Sequence, residues 1–192
     1  MKLFNQFFRA FAVLSLAGLL AACAPTIKIP DEAGVYSRAG RFALNVLDKT
    51  SDRNKDAVQG GFVWLDSNER LTLDLRNPLG STLARVSVTQ DSAVLTHANG
   101  EQLVASDPDA LVAEVLGNAI PVNGLRYWLK GQVAPGPVAA IKRDAGQNLV
   151  SFTQSGWQVN LSDYDGKGPR RLGMERNETL EAITVRLVIS EE

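Results

Sequence analysis

One thiol, one imidazole and a scatter of carboxylates are the residues whose types could do chemistry in this chain. Cys23 is the single cysteine among 192 residues. It follows Leu20, Ala21 and Ala22, a small-residue site of the kind at which exported chains are cleaved. A lone thiol in an exported protein can form no internal disulfide, so covalent occupation of its sulfur is the chemistry its position points to. His97 stands just before the Asn99 and Gly100 turn signal, with no G-x-S-x-G elbow and no H-E-x-x-H pair anywhere in the chain. It reads as a solvated hairpin histidine. Asp163, Tyr164, Asp165 and Gly166 resemble the start of a calcium loop, but no Glu follows at the spacing that would complete it, and a turn is the better reading. The remaining acids are dispersed, and no pair presents itself for general acid and base work.

Cys23 is positioned by the segment before it. Met1, Lys2 and Arg9 lead into an uncharged apolar run from Ala10 to Ala22, too short to span a bilayer comfortably. Residues 1–22 therefore read as a signal peptide, and Leu20 to Cys23 resembles the lipobox of bacterial lipoproteins. A thioether-linked lipid on Cys23 anchors the mature chain: burial is worth about 0.8 kcal/mol per CH₂, and two or more acyl chains hold stably. Ala24 stands where an Asp would retain a Gram-negative lipoprotein at the inner membrane, and that analogy implies transfer to the outer membrane. Residues 23–35, with Pro25, Pro30 and Gly34, read as the lipidated end and a tether, and residues 36–192 as one domain. Removing 22 residues from 192 leaves 170, enough for a single core. A net charge of −1 with no basic stripe argues against nucleic acid as a partner.

Within the domain, alternation dominates. Leu71, Leu73 and Leu75, then Trp157, Val159 and Leu161, then Ile183, Val185, Leu187 and Ile189 each alternate with mostly polar residues. That places one face of each strand on a core and the other in water, the mark of an antiparallel sheet. Further strands are expected at 38–47, 57–65, 82–89, 92–97, 101–105, 137–143 and 148–154. A sheet of that width should curl into a barrel or half-barrel. The exception is the stretch from Asp107 to Gly131. Asp107 and Pro108 start a helix, Leu111, Val112, Val115 and Leu116 give it an apolar face, and Gly117 stops it. A second short helix is expected from Asn123 to Lys130, with Leu125, Trp128 and Leu129 on one side. Two such helices can cover the open mouth of a curled sheet.

Between two alternating strands lies Asn77, Pro78, Leu79, Gly80 and Ser81. Turn chemistry places Leu79 at the tip, either exposed or folded back onto the sheet.

The order Asn77-Pro78-Leu79-Gly80-Ser81-Thr82, then Ile120-Pro121, then Leu125-Arg126 with Trp128 and Gly131, all behind a lipobox, resembles the LolB family over roughly Gly40 to Ile189. The resemblance implies a mainly β, LolA/LolB-like fold: an incomplete antiparallel β-barrel covered by a helical lid. It implies an apolar cavity for acyl chains, for which we nominate Leu73, Leu75, Leu111, Val115, Leu116, Leu125, Trp128 and Trp157. It also implies a membrane-inserting loop of Asn77, Pro78, Leu79, Gly80 and Ser81. The implied role is non-enzymatic and needs no metal or other cofactor. The protein would accept lipoprotein cargo from a periplasmic LolA-like carrier and insert it into the inner leaflet of the outer membrane, acting as a monomer. One departure is the short, proline-containing stretch 24–39, which leaves little room for a helix before the first strand and implies a lid of fewer elements. Two rivals remain: a scaffolding lipoprotein that binds envelope proteins, and a hydrolase, which would need two acids facing each other in a pocket.

Overall fold

The computed structural model describes residues 34–67 and 69–190. The expected signal peptide, Cys23 and nearly all of the tether lie outside the described residues. Six strands come first: β1 (Tyr36–Asp48), β2 (Arg53–Asp66), β3 (Leu71–Arg76), β4 (Thr82–Val88), β5 (Ala93–His97) and β6 (Gln102–Ala105). Two helices follow, α1 (Pro108–Leu116) and α2 (Val122–Trp128). Five strands complete the chain: β7 (Val138–Arg143), β8 (Leu149–Gln154), β9 (Trp157–Asp165), β10 (Gly168–Asn177) and β11 (Glu181–Ile189).

All eleven strands form one antiparallel sheet that does not close. β1 lies at its centre. From there β2 to β6 run outward in sequence order on one side, and β11 back to β7 on the other. The two edges, β6 and β7, are thus the strands between which the helices are inserted, and the chain passes from one edge to the other through the lid. The alternation that predicted the strands also sets their faces. Phe42, Leu44 and Val46 of β1, Phe62 and Trp64 of β2, Leu71, Leu73 and Leu75 of β3, and Ile183, Val185 and Leu187 of β11 are buried together on the concave side.

One strand was not expected. β10 carries Gly168, Pro169, Arg170 and Arg171 at its start, residues that signal a loop, and only Leu172 and Met174 of its second half enter the core. It nonetheless pairs with β9 and β11, because a strand between two partners is specified by their ladders as much as by its own side chains. The expected turn at Asp163 to Gly166 is correspondingly shifted: β9 continues through Asp165, which faces Gly168 across the hairpin.

The helices start and stop for different reasons. Asp107 caps α1 by accepting a hydrogen bond from the Asp109 N–H at 3.0 Å, and Gly117 ends it in the left-handed region at φ 73°, donating to the Ala113 carbonyl. α2 spans seven residues and has no side-chain cap, too short to persist on its own propensity. Its stability comes from what it is fastened to. Among the described residues, no helix is long and apolar enough to cross a membrane.

Candidate functional site

Between the sheet and the lid lies a cavity lined by apolar side chains alone. Phe42, Phe62, Trp64, Leu73, Leu75 and Leu187 supply much of the sheet wall, and Val112, Leu116, Ile120, Leu125 and Leu129 the lid wall. Its volume is about 40 Å³. An apolar cavity of roughly 150 Å³ is what holds a benzene ring, so the space seen here admits no chain of methylenes until its walls part.

At the end of β3 the chain turns through a loop held from within by one side chain. The Asn77 carboxamide oxygen accepts hydrogen bonds from the Leu79 and Ser81 N–H groups, both at 3.0 Å. The Gly80 N–H donates to the Asn77 carbonyl, and the Asn77 N–H to the Ser81 carbonyl. Gly80 adopts φ 93°, a conformation that favours glycine. This internal bracing holds Leu79 out at the apex, where it is 86% exposed. The alternative of a leucine folded back on the sheet is not what the structure shows.

An open sheet, an all-apolar cavity under two helices and a braced loop with a bare leucine thus stand together in one chain, and the sequence of that chain has known relatives. The family profile described as "Outer membrane lipoprotein LolB" covers residues 35–191. The chain belongs to the LolB family. Relatives named outer-membrane lipoprotein LolB include one from Bordetella petrii, 45% identical over 186 residues, covering 95% of this chain and 92% of that protein. Another, from Bordetella pertussis, is 46% identical over 189 residues, covering 97% and 94%. One from Cupriavidus pinatubonensis is 37% identical over 200 residues, covering 96% and 95%. Membership in the LolB family carries with it a role in outer-membrane lipoprotein localisation and transport.

Of the residues nominated for the LolB cavity, Leu73, Leu75, Leu116 and Leu125 line it. Leu111 is buried and Val115 half-buried on α1, and both pack against the core beside the cavity rather than around it. Trp128 is fully buried elsewhere, edge-on to Phe152 at 5.7 Å, with its indole N–H donating to the Gln154 side-chain oxygen at 3.0 Å. Trp157 lies under the Arg176 guanidinium, 4.9 Å from its ring centre. Lining residues that were not nominated include Phe42, Leu44, Phe62, Trp64, Val185 and Leu187. Their strands were recognised, but strand alternation gives a face and not a position along the barrel.

Among the described residues, charge fastens the lid at its α2 end. Asp66, whose side chain is wholly buried, accepts from Arg126 at 2.6 Å and from Lys130 at 3.0 Å. The Lys130 ammonium also sits 4.9 Å from the centre of the Tyr36 ring, and the Tyr36 hydroxyl donates to the Leu129 carbonyl at 2.5 Å. Burial raises the Tyr36 phenol above its ordinary range, which keeps it a donor. Arg38, buried beneath, donates both terminal nitrogens to Asp165 at 2.7 Å. Asp165 is thereby engaged as an ion-pair partner in the residues first read as a calcium-like turn. His97 closes the β5–β6 hairpin through its backbone, donating to the Glu101 carbonyl and accepting from Gly100.

Proposed function

We propose that the chain is a lipid-anchored receptor that takes lipoproteins from a LolA-type periplasmic carrier by their acyl chains and releases them into the inner leaflet of the outer membrane. The supporting observation is the cavity: a wholly apolar lining shared between a sheet and a separable lid. Each methylene that enters such a space gains about 0.8 kcal/mol over water, which offsets the cost of parting the walls. Affinity differences along the route supply the direction of transfer, since no nucleotide-binding loop occurs in the sequence. Cys23 carries the anchor, and residues 1–22 and 23–35 serve as signal and tether.

The loop performs the second half of the task. An exposed leucine gains roughly 2 kcal/mol on entering hydrocarbon, enough to bias the docking of an already anchored protein but not to hold it alone. The small size of the closed cavity is the observation that favours a scaffolding role instead, so cargo transfer is the deciding experiment. A soluble Cys23→Ala form is mixed with carrier loaded with labelled lipoprotein. The label is expected to move to this protein; a label that stays on the carrier while the receptor is folded overturns the reading. Leu79→Glu is expected to accept cargo normally and to deliver it to liposomes at least about tenfold more slowly.

A further inference from the structure

On the convex side of the sheet, directly behind the Leu79 loop, lies a groove of about 410 Å³. Its charged lining is Arg41, Arg76 and Arg186, and among the described residues no carboxylate lines it. The register explains the shape. Arg41 of β1 pairs with Gly61 of β2, which in turn pairs with Arg76 of β3. Strands are about 4.8 Å apart, so the two arginines rise roughly 10 Å from each other across a residue with no side chain. Arg186 stands on β11 opposite Ala43, in the next row of the same face. The loop residues Asn77, Pro78 and Gly80 form one wall of the groove.

These cations are under-neutralised. The neighbouring Asp74 is held by Arg85 through contacts of 2.6 and 2.8 Å, which leaves Arg76 at 3.8 Å from it. The buried Nε of Arg76 has no hydrogen-bond partner among the described residues. Arg41 and Arg186 have no ion pair or side-chain hydrogen bond there either. Three guanidiniums lining one groove repel one another, and an anion among them relieves that repulsion. A guanidinium fork matches phosphate oxygens in charge and geometry.

We infer that the groove is a binding site for the phosphate headgroup of an anionic membrane phospholipid, seated between Arg41, Arg76 and Arg186 when Leu79 enters the bilayer. The inference rests on the reading of that loop as membrane-facing. It gives the loop a fixed depth, because the headgroup is gripped one loop's height above the apolar tip.

The test uses the mature chain from residue 23 with Cys23→Ala, which retains every described strand and helix. Its partners are vesicles of phosphatidylethanolamine with or without phosphatidylglycerol. Arg41→Gln and Arg186→Gln should each lower affinity for the phosphatidylglycerol vesicles about fivefold, and together about twenty-five-fold, with little change on the others. High salt should erase the difference. Variants that stay folded and bind like the parent overturn the site. An environment-sensitive fluorophore on Leu79→Cys reports the loop separately: arginine-dependent binding with the probe still in water would refute the loop reading and leave the headgroup site standing. Inorganic phosphate that binds the vesicle-free protein with the same arginine dependence and the same affinity identifies a soluble anion and overturns the proposal. So does a pair of variants that bind vesicles normally but receive less cargo from the carrier, which would assign the groove to an acidic protein surface.

Discussion

The two lid helices cover the same cavity and are held by opposite means. α2 is joined to the sheet through Asp66, Arg126, Lys130 and the Trp128–Gln154 hydrogen bond. α1 lies over β4, β5 and β6 on apolar side chains such as Leu111, Val112 and Leu116, with a cap at each end. Its Asp109 side chain reaches beyond it to α2, where the Val122 N–H donates to Asp109 at 2.8 Å. Buried ion pairs with fixed geometry resist displacement, whereas apolar contacts are non-directional and can be exchanged for contacts with a lipid chain. If the lid parts from the sheet, α1 is therefore expected to leave it more readily than α2.

The largest effect should come from erasing the difference. Asp66→Asn leaves Arg126 and Lys130 without their shared carboxylate and should cost about 3 kcal/mol in chemical denaturation. In hydrogen exchange, α2 should then open as readily as α1; unchanged α2 protection would mean that Asp66 does not fasten the lid. Next in size, Leu116→Ala should cost about 2 kcal/mol by enlarging a cavity the lid already borders, while leaving α2 protected. Asp107→Ala should cost about 1 kcal/mol and speed exchange in α1 alone.

The smallest effect is one of pH. The Arg38 hydrogen bonds hold the Asp165 carboxyl down from its ordinary 3.8 to about 2, against an opposing contribution from burial. A carboxylate with a depressed folded value stabilises fully above its unfolded value and loses that contribution as pH falls through the folded one. Stability should therefore decline between pH 3.8 and about 2, and Arg38→Met should flatten that part of an acid titration. A titration that keeps its slope in the variant would remove Asp165 as its source.

Most of the sheet, the limits of α1 and the loop were legible because each rests on local rules, whereas α2, expected over Asn123 to Lys130, runs from Val122 to Trp128 without a side-chain cap to mark its start. Alternation marks strands, Asp107 and Gly117 mark the ends of α1, and Asn77 to Gly80 mark a turn. What was illegible depends on register between distant strands. β10 hides its identity behind Gly168, Pro169 and two arginines, and is a strand because β9 and β11 make it one. Trp128 was nominated for the cavity from the apolar side of a helix and Trp157 from the alternation of a strand; neither lines the space seen here, and each meets a partner of its own, Gln154 and Arg176. Arg41, Arg76 and Arg186 come from three separate strands, so no local pattern in the sequence groups them. Only the pairing across Gly61 and the order of β11 beside β1 bring them together.

The missing seam between β6 and β7 has a mechanical meaning. In a closed barrel, strand number and stagger fix the circumference, and the interior can widen only by breaking a ladder. Here the ring is left as an arc whose ends are joined by the two helices, so its curvature can relax with every strand-to-strand bond intact. If the cavity takes acyl chains as proposed, the open rims make its bore adjustable, and cargo tails of different lengths share one sheet by spreading those rims to different spans.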